Sequence, residues 1–315
     1  MRETSTITPR RMNPMKITSA CRRATLLAVI AAVASGIPTA ARAATFPPLN
    51  NPATGTSHQG KLVWVDLFTG DPDTAATFYS KLFGWTVTSL DQKGRAYLVL
   101  RNAGRPVAGV VTRSASSRKR FSRWIPYISV EDITLTMGKV AAAGGVVHAP
   151  VRNFPDRGFQ AIIGDNEGSV VGLLQSSSGD SIDSEPAPGD WNWFELYGKS
   201  PQAASAFYGQ VFGFKVTPDL RTERKNDFDL SSEGVVRGGV APLPDREDSA
   251  PGWLAVVRVA DIDATVAQAA ALGGQVDLAP RSASYGSRFA VITDPTGGTV
   301  GLVQYVDNSD PANHR

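Results

Sequence analysis

Cysteine is almost absent: Cys21 is the only one in 315 residues, and it lies near the N-terminus. Histidine is nearly as scarce, with only His58, His148 and His314. A chain this poor in thiolate and imidazole holds no Cys/His cluster for zinc and no disulfide framework. It also has no G-x-S-x-G elbow and no complete G-x-x-x-x-G-K-[ST] phosphate loop, so neither a serine-hydrolase elbow nor a nucleotide cradle is written in it. Long apolar runs are missing too. Ala24–Ile37 is shorter than the roughly 20 residues that span a bilayer.

That short run has a different meaning. Lys16, Arg22 and Arg23 precede it, and PTAARA follows, with Ala41 and Ala43 spaced as a small-residue cleavage site. The pattern predicts a secretory signal peptide over residues 1–43 and a secreted or periplasmic product. An uncleaved N-terminal anchor is the alternative. With cleavage, no integral membrane segment and no cysteine remain. Residues 1–43 hold seven of the 32 Lys and Arg and one of the 29 acids, which leaves 25 basic and 28 acidic residues. The basic excess belongs to the leader and gives no argument for nucleic acid or an anionic membrane as partner.

What remains is written twice. WVDLFTGDPDTAATFYSKLFGW starts at Trp64 and WFELYGKSPQAASAFYGQVFGF at Trp193. The offset of 129 continues through Phe78/Phe207, Trp124/Trp253, Asp132/Asp261, Gly145/Gly274, Asp165/Asp294 and Gln175/Gln304. A fixed offset over such a span marks a tandem duplication. Within each half, Asp71, a helix and Gly84 are echoed 61 residues later by Asp132, a helix and Gly145, which gives four related units. The expected division is a flexible lead-in at 44–60, a first domain at 61–176, a linker at 177–189, a second domain at 190–306 and a polar tail at 307–315.

Each unit has a legible order. Val63, Val65 and Leu67 alternate with Trp64, Asp66 and Phe68, the period of a strand with two unlike faces. Asp71 caps the next helix, with Pro72 at its first position, and Ser200-Pro201 repeats that chemistry. Ala75, Phe78, Tyr79 and Leu82 share one helical face, and Gly84 suits a left-handed stop. Short strands and turns follow, the clearest being VITDPTGGTVGLVQ. The unit is therefore strand, helix and three strands, an α+β pattern.

This order, with D-P…FY…LFGW and D-P-x-G-G-x-x-G-L, resembles the vicinal oxygen chelate superfamily, which includes glyoxalase I, extradiol dioxygenases and bleomycin-resistance proteins. The W-x-[DE]-L start looks most like its tandem glyoxalase-like "hydroxylase"/antigen-type branch. The resemblance covers 61–176 and 190–306. It implies four βαβββ units that form two curved, partly open barrels, each around a cleft. It also implies where a metal would be held: in the first strand of a unit, here Trp64, Ile125, Trp193 and Leu254, and in the last, here Gly109, Gly172, Gly239 and Gly301. None of these side chains can ligate zinc, iron or manganese. No metal and no cofactor are expected.

Strand alternation indicates what lines the clefts instead. Trp64, Asp66 and Phe68 share the face opposite the helix, as do Trp193, Glu195 and Tyr197 in the second half, and Tyr127 belongs to the first cleft. Asp66 and Glu195 are the candidate catalytic acids, since a carboxyl beside indole in an apolar cleft can do acid–base work. They can equally be buried structural hydrogen-bonding groups or pair with an arginine. Trp64, Phe68, Tyr127, Trp193 and Tyr197 are the candidate ligand-binding residues, with core filling as the other reading. The glycines either leave room for an organic ligand or bend the sheet. Basic residues between Arg113 and Arg123 stand against Asp245, Glu247 and Asp248 in the matching loop. Paired across halves or in a homodimer, these would complement each other, while both also suit solvated loops.

Four functions stay open from sequence. The first is an exported binder of a small-molecule ligand without metal. The second is a metal-independent lyase or isomerase using Asp66 or Glu195. The third is a metal-dependent glyoxalase or dioxygenase, and the fourth a module whose cleft is a protein interface.

Overall fold

The computed structural model describes residues 46–90, 97–113, 122–220, 226–245, 249–283 and 286–305. The expected leader, the C-terminal tail and residues 114–121 and 246–248 of the two charged loops lie outside these residues. Among the described residues, no helix is long and apolar enough to cross a membrane.

The first unit runs β1 (Leu62–Thr69), α1 (Pro72–Phe83), β2 (Thr86–Leu90), β3 (Tyr97–Asn102) and β4 (Arg105–Thr112). The second runs β5 (Arg123–Ser129), α2 (Ile133–Ala142), β6 (Val146–Phe154), β7 (Gly158–Gly164) and β8 (Val170–Ser176). The third runs β9 (Trp191–Gly198), α3 (Pro201–Phe212), β10 (Lys215–Pro218), β11 (Phe228–Ser232) and β12 (Val235–Pro242). The fourth runs β13 (Gly252–Arg258), α4 (Ile262–Ala271), β14 (Gln275–Ala283), β15 (Ser287–Thr293) and β16 (Thr299–Tyr305).

The helix starts follow the sequence chemistry. The carboxylates of Asp71, Asp132 and Asp261 and the hydroxyl of Ser200 each accept a backbone N–H from the first turn, which satisfies donors that have no helical partner. Gly84 and Gly213 end α1 and α3 in the left-handed conformation. After α2 and α4 that conformation falls on Gly144 and Gly273, one residue before the positions the repeat suggests. Gly145 and Gly274 serve close packing instead. A Cβ there would lie 3.1 Å from the Phe207 ring and 3.0 Å from the Phe78 ring, each reaching in from the other half.

Each half builds its own eight-stranded mixed sheet, so the halves exchange no strands. The orders are β2-β3-β4-β1-β5-β8-β7-β6 and β10-β11-β12-β9-β13-β16-β15-β14. The units meet at antiparallel β1/β5 and β9/β13, and within each unit the first and last strands run parallel. Both sheets curve without closing into barrels, because β2 and β6, like β10 and β14, remain edge strands.

The helical faces of the two sheets bury each other. One core joins the first unit mainly to the fourth, with Val65, Leu67, Phe78, Tyr79 and Trp85 against Val257, Ile262, Ile292 and Leu302, and also takes in Trp124 of β5 and Phe194 of β9. A second core joins the second unit to the third. Val65 and Leu67 point to the helices as the alternation requires. Val63 does not: a register shift between Leu62 and Trp64 puts Leu62 on the helical side and Val63 with the concave face, as an extra residue in a bulge reverses the alternation beyond it.

Candidate functional site

The two concave faces come from the same repeat but are filled differently. In the first, Trp64, Val99, Ile125, Tyr127 and Leu174 form one buried cluster, with Phe68, Tyr97 and Leu49 packed on it. Asp66 lies inside it, 5% exposed. Its Oδ1 accepts hydrogen bonds from Trp64 Nε1 at 2.7 Å and the Tyr97 hydroxyl at 2.8 Å. Burial raises the Asp66 pKa, against the opposing pull of the Tyr97 and Trp64 hydrogen bonds and the Arg157 charge. Burial likewise holds the Tyr97 and Tyr127 hydroxyls well above the usual phenol range, with the nearby Asp66 charge adding to it. Both remain protonated donors.

Arg157, which the sequence did not single out, completes this site. It is fully buried and its guanidinium carbon sits 3.9 Å from the centre of the Trp64 ring. Burial lowers its pKa, partly offset by Tyr97, Asp66 and Tyr127. Nε donates to the Pro47 carbonyl at 2.7 Å, whereas Nη1 and Nη2 make no hydrogen bond among the described residues.

The cover over this face is the segment expected to be a flexible lead-in. The Phe46 ring meets Tyr97 edge-on at 4.4 Å and Phe154 at 4.7 Å. Further along, Asn50, Thr54 and His58 hydrogen-bond to Ser178, Gly179 and Asp180 of the linker. Residues 46–58 thus form a strap across the first concave face, tied to the junction between the halves.

The second face is open. Trp193, Glu195 and Tyr197 are half-buried on one side of β9, and Trp193 Nε1 donates to Glu195 Oε2 at 2.6 Å. Tyr197, but neither Trp193 nor Glu195, lines a cavity of about 950 Å³. Tyr197, Leu254, Phe289 and Val291 supply its apolar and aromatic walls, Arg123, Arg281 and Asp277 its charged groups, and Ser122, Trp124 and Val170 of the first half also line it. Glu195 is the register partner of Leu254 in this wall. Asp229 belongs to the same face, because Gly239 pairs with Asp229 on one side and Glu195 on the other. At the offset of 129, Gly286 stands where the first half has Arg157 and Val256 where it has Tyr127. The first face has lost its space to large side chains, and the second keeps it.

The glycines at the implied metal-ligand positions now have a physical role. Asp66 pairs with Gly109, Tyr127 with Gly172 and Glu195 with Gly239. A Cβ at Gly109 would overlap the Tyr97 hydroxyl and the Asp66 carboxylate, and one at Gly172 would overlap the Tyr127 ring. At Gly239 it would lie 2.6 Å from Glu195 Oε2. The space left by a small residue is thus taken by the neighbouring strand's acid or ring. The donor set a metal needs does not fit here: Trp64, Ile125, Trp193 and Leu254 face glycine-bearing strands, and no group of three His, Cys, Asp or Glu that could hold an ion occurs among the described residues. His148 is half-buried on β6 beside Gly164, with its pKa lowered by burial and by Arg123. His58, at the end of the strap, bonds Glu233 at 2.7 Å.

Comparison with known proteins agrees with this architecture. A model of the Glyoxalase/Bleomycin resistance protein/Dioxygenase superfamily matches residues 61–173 and 191–302. CFP32 of Mycobacterium tuberculosis (strain CDC 1551 / Oshkosh), named as a glyoxylase, is 30% identical over 256 residues, covering 80% of this chain and 98% of that protein. The anthracycline biosynthesis protein DnrV of Streptomyces peucetius is 27% identical over 260 residues, covering 78% and 93%. Among solved structures, the Mn(II)-bound glyoxalase from Novosphingobium aromaticivorans aligns with a TM-score of 0.57 at 15% identity, covering 82% of this chain and 86% of that one. The 2,3-dioxygenase LapB from Pseudomonas sp. KL28 aligns at 0.54 and 14%, covering 81% and 96%. At such identities these two structures speak for the fold alone.

Proposed function

The chain belongs to the glyoxalase/bleomycin resistance protein/dioxygenase superfamily, and from that premise we propose that it is an exported protein that holds a small organic ligand in the second concave face without a metal. The observation that carries this reading is the 950 Å³ cavity beside Tyr197, Leu254 and Phe289, in a half whose metal-ligand positions hold Trp193, Leu254, Gly239 and Gly301. A cavity of that size suits a drug-sized molecule, with aromatic walls to stack on and polar groups, Ser122, Thr293 and Thr299 among them, to orient it. Arg123 and Arg281 can take an acidic or carbonyl oxygen, and Asp277 of the same lining can take a hydroxyl or ammonium group. The relative named for anthracycline biosynthesis supports an aromatic ligand. Export is supported by the leader pattern of residues 1–43, and a second copy of the chain is the macromolecular partner the charged loops would fit.

A second reading, acid–base catalysis without metal, rests on Glu195. It is the candidate acid on the open face, whereas Asp66 lies beneath the strap. Native mass spectrometry of the mature protein tests the first reading by retaining an organic adduct. Tyr197→Ala and Phe289→Ala should each remove that adduct, and an unchanged adduct in both would refute the second face as its seat. Glu195→Gln separates the readings: a binder keeps its ligand and has no turnover to lose, while an enzyme keeps ligand and loses conversion of it.

A further inference from the structure

We propose that the first concave face is a second ligand site, for an aryl-alkyl carboxylate, and that residues Phe46–Leu49 occupy it as an internal ligand. The strap presents the two features such a molecule would present. Its Phe46 ring is seated between Tyr97 and Phe154, with centroids 4.4 and 4.7 Å away. Its Pro47 carbonyl takes the Arg157 Nε–H at 2.7 Å. An aromatic seat and an oxygen on a guanidinium therefore lie one residue apart.

The strap fills this site incompletely. A single carbonyl uses one edge of Arg157, while the two terminal nitrogens, fully buried, make no hydrogen bond among the described residues. Guanidinium is shaped to take a carboxylate through two parallel N–H bonds, and buried donors left without acceptors are costly. A carboxylate would supply the second oxygen and the charge that a peptide carbonyl lacks. Asp66 does not already do so, since its Oδ1 is engaged by Trp64 and Tyr97 and no ion pair joins it to Arg157 within 4.0 Å. The strap is held by its hydrogen bonds to Ser178–Asp180 and by its seated ring, so it sets a competition. Any ligand must displace the ring, and its apparent affinity is the intrinsic affinity multiplied by the fraction of molecules in which the strap is already off.

The probe is 6-phenylhexanoate, in which ring and carboxyl carbon are separated by the same chain of atoms as the Phe46 ring and the Pro47 carbonyl carbon. Full-length wild-type protein and Phe46→Ala are titrated calorimetrically, and the Trp64 indole N–H is followed by NMR. We expect Phe46→Ala to bind about tenfold or more tightly than wild type, as removal of the seated ring frees the site. The Trp64 indole should shift, and 6-phenylhexan-1-ol and hexanoate should bind poorly. Phe46→Ala/Arg157→Lys, which keeps the charge but loses the fork, should bind the acid several-fold more weakly than Phe46→Ala. The proposal is overturned if folded Phe46→Ala does not bind the acid, if alcohol and acid bind alike, or if Arg157→Lys changes nothing. Binding that leaves the Trp64 indole unmoved and disappears in Tyr197→Ala overturns it too, while supporting the second-face site. The two sites therefore fail separately.

Discussion

At position 109 even a methyl group would overlap the Tyr97 hydroxyl and the Asp66 carboxylate, both buried and hydrogen-bonded to one another. At the matching position, Gly239, the near neighbour is Glu195, a half-buried side chain with more freedom to turn aside. The same chemical change should then have unequal effects. Gly109→Ala should destabilise by about 1–3 kcal/mol, the usual range for overpacking a filled core. Gly239→Ala should cost visibly less, read as a smaller drop in the denaturation midpoint. Equal losses would mean that Glu195 is held as rigidly as Asp66.

The helices α1 and α3 each carry a Phe-Tyr pair, and the tyrosine does more than fill the core. The Tyr79 hydroxyl donates to Asp294 Oδ2 at 2.8 Å and accepts from Trp124 Nε1 at 2.9 Å. Tyr208 does the same with Asp165 at 3.2 Å and Trp253 at 3.0 Å. In each case a helix of one half caps the carboxylate of a turn in the other. Burial holds both tyrosines well above the usual phenol range, helped by the facing carboxylate. Tyr79→Phe would leave a buried carboxylate oxygen and an indole N–H each short of a partner. A loss of about 1–3 kcal/mol is expected, measurable by urea unfolding. The shorter contact at Tyr79 predicts a larger loss there than for Tyr208→Phe.

Across the whole molecule, an ion cluster ties the linker to both halves. Asp183 pairs with Lys61 of the first half at 2.7 Å and Arg237 of the second at 2.6 Å. Partial burial pushes its carboxyl up, but the hydrogen bonds and charges of Arg237 and Lys61 outweigh that and hold the pKa at about 2. A carboxyl depressed in the folded state stabilises it above the unfolded pKa of about 3.9, and that contribution is lost as pH falls through the folded value. Wild type should therefore exceed Asp183→Asn in stability at neutral pH, and the two should converge between about pH 4 and pH 2. A constant gap across that window would show that Asp183 acts through packing. The same scale explains why the halves belong together: each core draws side chains from both, so either half alone would expose its helical face to water.

The duplication, the four βαβββ units, the helix caps and the faces on which Trp64, Asp66, Trp193 and Glu195 stand were determined by the sequence itself. Periodicity and capping are local, set by sterics and hydrogen bonds within a few residues. The absence of imidazole and carboxylate at the family's ligand positions was equally plain. What local rules could not reach was decided by tertiary structure. Arg157 stands in a turn between β6 and β7, and only the curvature of the sheet carries it over Trp64. Phe46 and Pro47 lie in a Pro- and Asn-rich stretch with no periodicity, and only contacts with distant residues draw them across the first face: the seated Phe46 ring, the Arg157 bond to Pro47 and the linker's bonds to Asn50 and Thr54. The repeat predicts two equal clefts. Their difference arises because large side chains with no counterpart in the second half converge from distant points of the chain, and the free energy of filling space depends on which atoms meet rather than on which residues adjoin.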